Sequence, residues 1–119
     1  MAEGLLKILY PDYIIDSAGT RPEKRVNPLA VKVMEEKGID ISSHVPEWVN
    51  NYLKYNYDYV ITVCDQAREV CPTFPRRVKE KLHIGFEDPA DAMGSEDEKL
   101  LVYRKIRDQI FKQFSEMDF

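Results

Sequence analysis

The chain has 119 residues, enough for one domain burying roughly two-thirds of its unfolded surface, and its 17 basic and 21 acidic side chains leave a net charge of −4. The signs alternate with no basic block longer than Pro75-Arg76-Arg77, which argues against a nucleic-acid or anionic-membrane surface. No apolar run approaches the ~18 residues of a membrane span, there is no secretory leader pattern, and two cysteines do not make a secreted disulfide scaffold. A single soluble, cytoplasmic domain over 1–119 is the expectation.

Met1 to Tyr10 reads as the tail of a helix, with Leu5, Ile8 and Leu9 on one stripe, no N-cap of its own, and Pro11 to end it. Tyr13-Ile14-Ile15-Asp16-Ser17-Ala18 reads as a short strand closed by Gly19. Asn27-Pro28 opens the next helix as cap and first helical residue; Ala30, Val33, Met34 and Lys37 share a face, and Gly38 stops it. Glu47 to Tyr57 is expected to be a short helix, 58–63 a strand, and Lys81-Leu82-His83-Ile84-Gly85-Phe86 another. Ser95 and Glu98 form a capping box for the last helix, whose stripe is Tyr103, Ile106, Ile110 and Phe114. Strand alternating with helix implies an α/β fold of three layers, a parallel sheet covered on both faces. Active sites in such sheets lie at the carboxyl ends of strands. Three segments fall there: Ser17-Ala18-Gly19-Thr20, Cys64-Asp65 and Glu87-Asp88-Pro89-Ala90.

Cys64 and Cys71 are the only cysteines, so any sulfur chemistry of these residues runs through them. A helical 64–71 segment would hold their Cα atoms roughly 10 Å apart, whereas a disulfide needs less than about 7 Å. Bonding them requires the intervening turn to unwind, which suits a redox switch better than a staple. The plainer alternative, open on spacing alone, is that Cys64 packs at a strand end and Cys71 opens a turn with Pro72. Asp88-Pro89 alone is most simply a turn. His44 and His83 are packing or surface residues by their context, and with the cysteines they lack the paired spacing of a zinc site. Tyr52, Tyr55, Tyr57 and Tyr59 read as core and rim packing.

Asp16-Ser17-Ala18-Gly19-Thr20, Val26-Asn27-Pro28, Gly38-Ile39-Asp40-Ile41-Ser42-Ser43-His44, Cys64 to Cys71-Pro72, Phe86-Glu87-Asp88-Pro89-Ala90 and Tyr103-Arg104-Lys105-Ile106-Arg107-Asp108 occur in this order. Together with Met1-Ala2-Glu3-Gly4 they closely resemble the thioredoxin-coupled arsenate reductases, which share the fold of the low-molecular-weight tyrosine phosphatases. The resemblance implies a flavodoxin-like, low-molecular-weight phosphatase-like fold, and it runs from Met1 to about Ile110.

In that family a central first strand and a phosphate-binding loop, bearing a nucleophilic cysteine and an arginine, precede the Met-Ala-Glu-Gly stretch. Neither is found in these 119 residues, so the expectation is an N-terminally shortened chain, most simply from a late start or a gene fragment and otherwise a true short paralogue, that is inactive as it stands. Cys71 to Arg77 matches the bare cysteine-to-arginine spacing, but Pro72 and Pro75 remove amides a phosphate cradle needs.

The resemblance assigns Cys64 as the second cysteine of the relay, Cys71 as the third and Asp88 as the acid that protonates a leaving oxygen; Ser17 would support the loop. The implied ligand is arsenate or a phosphate-like oxyanion and the implied partner thioredoxin. No cofactor or metal is implied, and a monomer is expected at full length. The nearest rival is a tyrosine phosphatase, which would need Asp88 but not the cysteine pair, and whose Asp-Pro tends to be followed by tyrosine where Ala90 stands. A non-catalytic binding module is the rival from another class.

Overall fold

The structure, a computed structural model, describes residues 1–19, 26–63 and 74–117. The described residues form two compact units, one within Met1–Asp16, Arg25–Val45 and Asp88–Phe119, the other within Ser17–Lys24 and Pro46–Glu87.

The first unit is helical: α1 is Ala2–Leu9, α2 is Pro28–Glu35 and α3 is Glu96–Ser115. α1 has Met1 at its N-cap with no side-chain cap, as its sequence suggests. It comes close to its neighbours at Gly4, where an added Cβ would lie 2.9 Å from Ile41 Cγ2. α2 starts where Asn27 Oδ1 accepts the Leu29 amide at 2.9 Å, with Pro28 at the first helical position. It stops at Gly38, whose φ of 73° is a left-handed value that a side chain would resist. There Gly38 N–H donates to Glu35 O and Ile39 N–H to Met34 O, which satisfies carbonyls the helix cannot pair itself.

α3 carries the core. Ser95 Oγ accepts the Glu98 amide at 3.2 Å while the Glu98 carboxylate accepts the Ser95 amide at 3.5 Å, a reciprocal cap with three acidic residues in the first turn. Leu100, Tyr103, Ile106, Ile110 and Phe114 then recur at helical spacing and are all buried, together with Leu5, Ala30, Val33, Met34 and Ile41. Each of the large apolar side chains among them contributes about 1.5–3 kcal/mol by leaving water. At the far end the Tyr10 hydroxyl lies 2.6 Å from Phe114 O and 2.7 Å from Met117 O, so one O–H serves two carbonyls of the last turn.

The second unit holds a two-stranded parallel sheet, β1 Tyr57–Thr62 and β2 Val78–His83, with Tyr59 opposite Glu80 and Thr62 opposite His83. The parallel pairing is as expected from the alternation of strands and helices. Its edges differ: β2 begins three residues before Lys81, and Ile84 and Phe86 still donate to Thr62 O and Val63 O outside the regular ladder. Two expected elements are corrected. Tyr13–Ala18 is not a strand, because alternation supplies only a preference and a strand exists through a ladder of paired backbones; the β-bridge described next to this stretch is the isolated one from Gly19 to Trp48. Ile14 in this stretch is 93% exposed. Glu47–Tyr57 is not a helix of that length but a single 3-10 turn, Val49–Tyr52. The same bridge explains it, since Gly19 N–H donates to Glu47 O and Val49 N–H to Gly19 O, pinning Trp48 in extended backbone. The poor helix formers Asn50 and Asn51 follow directly.

α2 and α3 are also clamped by charge. Arg104 grips Glu36 through Nε and Nη2 at 3.0 and 2.8 Å, and buried Arg107 donates to Val33 O, Glu36 and Asp108. Hydrogen bonds from Arg104 and then Arg107 hold the Glu36 carboxyl at about 2, against an ordinary value of 4.5. A depressed folded value means the clamp stabilises fully above the ordinary value and is lost as pH falls through about 2. Glu36 is a third exposed, so salt screens part of this. Glu36→Gln should therefore unfold at a lower temperature than the parent at pH 6 in low salt, with the gap closing by pH 2; thermal melts showing a pH-independent gap would contradict the clamp.

Candidate active site

The carboxyl end of the parallel sheet is built by register. Thr62 and His83 are opposite one another, and Thr62 Oγ1 lies 2.7 Å from His83 Nδ1. Beyond them Phe86 N–H donates to Val63 O at 2.8 Å. Cys64 follows Val63 directly in the chain and Asp88 comes two residues after Phe86. Cys64 and Cys71 themselves lie outside the described residues, as does Thr20. Ser17, exposed, leads into Gly19, whose backbone is bridged to the chain on either side of Trp48.

Asp88 is exposed and caps a 3-10 turn, Pro89–Asp91, by accepting the Ala90 amide on Oδ1 at 2.9 Å. The turn expected of an isolated Asp-Pro is therefore real. It does not exclude chemistry, because the cap uses one carboxyl oxygen and leaves Oδ2 without a hydrogen bond from the described residues. The turn packs against α3, where buried Tyr103 lies within electrostatic reach of Asp88. Burial first, and the Asp88 charge second, push the Tyr103 phenol above its ordinary value.

Both histidines have side-chain neighbours consistent with packing: His83 pairs with Thr62, and His44 Nδ1 lies 3.4 Å from Glu3. Among the described residues no group of His, Cys, Asp and Glu is arranged to hold a metal. None of the described helices is long and apolar enough to cross a membrane. Tyr52, Tyr55, Tyr57 and Phe74 form a run of ring contacts with centroids 5.9–6.4 Å apart. The neighbourhood of Tyr103 and Asp88 was not apparent from spacing, although a hydroxyl on an otherwise apolar helical stripe is a signal that could have been read.

The family model for low molecular weight phosphotyrosine protein phosphatase matches residues 1–117. Arsenate reductase of Halalkalibacterium halodurans is 44% identical over 95% of this chain and 81% of its own length. That of Bacillus subtilis is 41% identical over 98% of this chain and 85% of its own. Among solved structures, an arsenate reductase in its oxidized state superposes with a TM-score of 0.73 at 30% identity, covering 94% of this chain and 80% of the other. One in a phosphate-binding state gives 0.71 at 28% identity with the same coverage. The chain belongs to the low molecular weight phosphotyrosine protein phosphatase family and has its α/β fold. Its similarity to arsenate reductases extends through sequence and structure alike.

The cap and the carboxyl can be separated by mutation. Asp88→Asn keeps an oxygen for the Ala90 amide and should melt close to the parent, whereas Asp88→Ala should lose about 0.5–2 kcal/mol. Equal losses for both variants in denaturant titrations would show that the cap carries no stability.

Proposed function

We propose that this chain serves as an arsenate reductase, with Cys64 and Cys71 as its thiol relay, Asp88 as its proton donor and thioredoxin as the reductant. Both units belong in this reading to a single domain, since one family model spans them. The observation that carries it is the pair Cys64 and Cys71 within a chain more than 40% identical to arsenate reductases; a phosphatase of this fold has no use for that pair.

Reduction of arsenate needs two electrons, and two thiols supply them. A loop thiolate of the kind this family uses first displaces an arsenate oxygen, with a carboxylic acid such as Asp88 protonating the oxygen that leaves. A carboxyl beside a bound oxyanion favours its protonated form, which equips Asp88 for that step. Cys64 then attacks the sulfur of the adduct. The sulfur–arsenic electron pair leaves with arsenic as arsenite, and the two sulfurs join. Cys71 attacks Cys64 in turn, freeing the loop thiol and leaving a Cys64–Cys71 disulfide. Thioredoxin removes it by exchange, which is favourable if the pair's potential is near or above about −270 mV.

The discriminating test is to assay arsenate reduction with thioredoxin, using the 119-residue chain and the chain extended by the in-frame codons upstream of Met1. The extended protein should turn over repeatedly, and its Cys71→Ser variant should release one arsenite per molecule and then stop. Repeated turnover by Cys71→Ser, or failure of thioredoxin to sustain the extended protein, would overturn the assignment.

A further inference from the structure

Ala92, Met93, Gly94 and Ser95 join the turn capped by Asp88 to the first residue of α3. Ala92, at φ −62° and ψ 139°, and Ser95, at φ −69° and ψ 166°, are extended in ordinary backbone. Gly94 is not: its φ is 113°, a value that a residue with a Cβ rarely adopts. Met93 is 88% exposed, so it gives the connection no anchor in the core. Gly94 is also closely covered. A Cβ built there would lie 2.7 Å from Glu98 Oε2 and 3.3 Å from Glu98 Cβ. The Glu98 carboxylate cannot simply swing aside, because its Oε1 accepts the Ser95 amide at 3.5 Å and the Ser95 hydroxyl at 3.2 Å. Moving it opens the cap from which α3 starts.

We propose that Gly94 and Glu98 are the positioning residues for Asp88: the carboxylate closed over a glycine without a Cβ fixes the angle at which the turn Pro89–Asp91 meets α3. This rests on the reading of Asp88 as the proton donor. The Asp88 carboxyl is fixed within its turn by the Ala90 amide, and the turn packs on α3. The remaining freedom lies in the connection, where the angle at Gly94 and the seat of the Glu98 carboxylate remove it together. The acid is thus aimed by a backbone angle and a helix cap rather than by a side chain of the site.

The variants are made in the extended protein and assayed for arsenate turnover. Gly94→Ala and Glu98→Ala should each lower kcat by about tenfold or more with KM unchanged, because a misplaced acid fails in the transition state while binding is kept. Glu98→Gln keeps an oxygen for Ser95 and should hold the parent kcat. So should Gly38→Ala, at the other glycine of positive φ, where a Cβ meets nothing within 4 Å. Added to Asp88→Asn, neither Gly94→Ala nor Glu98→Ala should cost anything further, because both act through Asp88. A parent kcat in Glu98→Ala, equal losses in Glu98→Gln and Glu98→Ala, a loss in Gly38→Ala as large as in Gly94→Ala, or losses that multiply with Asp88→Asn would overturn the positioning role while leaving Asp88 as the acid. The Glu98 pair decides the question even where Gly94→Ala does not fold. A parent kcat in Asp88→Asn would instead remove the reading of Asp88 and this proposal with it. A second readout needs no turnover. In the 119-residue chain the amides of Ala90 and Asp91 donate to Asp88 Oδ1 and Asp88 O, and their NMR resonances should move in Glu98→Ala and stay in Glu98→Gln. Unmoved resonances in Glu98→Ala would also overturn the proposal.

Discussion

The buried face of α3 is the surface on which the helical unit is assembled. Three neighbours pack against this helix: α1, α2 and the turn capped by Asp88. A side chain on that face therefore has two consequences, one in the core and one in the placement of whatever lies over it. Arg107 is the clearest case. It is buried among hydrocarbons, yet its guanidinium is satisfied by Val33 O, Glu36 and Asp108, so a charge is accommodated where an unpaired one would cost several kcal/mol. Tyr103 is the second case: it is buried on this face, and burial first and the Asp88 charge second raise its phenol above its ordinary value.

The sheet unit supplies a different constraint. Parallel pairing sends the carboxyl ends of β1 and β2 the same way, so the residues following Thr62 and His83 emerge side by side. The Thr62–His83 contact and the bond from Phe86 to Val63 hold those two chain exits in register.

Local signals were read well where the chemistry is local. Asn27-Pro28, Gly38 and the Ser95–Glu98 box each act within a few residues, and each is found as the sequence implies. The α3 stripe was legible too, because its period of 3.6 is kept over four turns. Tyr13–Ala18 and Glu47–Tyr57 were misread for one shared reason: their backbone is governed by a bond between Gly19 and the residues flanking Trp48, and no pattern within either segment encodes a partner so far along the chain. The same limit hid the grip of Arg104 and Arg107 on Glu36 and the reach of Tyr10 to the last turn of α3. Of the site, Asp88 could be singled out at a strand end, but its role came from resemblance; as residues alone, Asp-Pro reads as a turn, and it is one.

The relay is tested most directly by finding where the oxidised sulfur resides. The extended protein would be given one equivalent of arsenate without thioredoxin, its free thiols alkylated at once, and its peptides mapped by mass spectrometry. The expected result is arsenite in solution together with a peptide cross-linked between Cys64 and Cys71. Arsenite release with both cysteines recovered alkylated would contradict the relay.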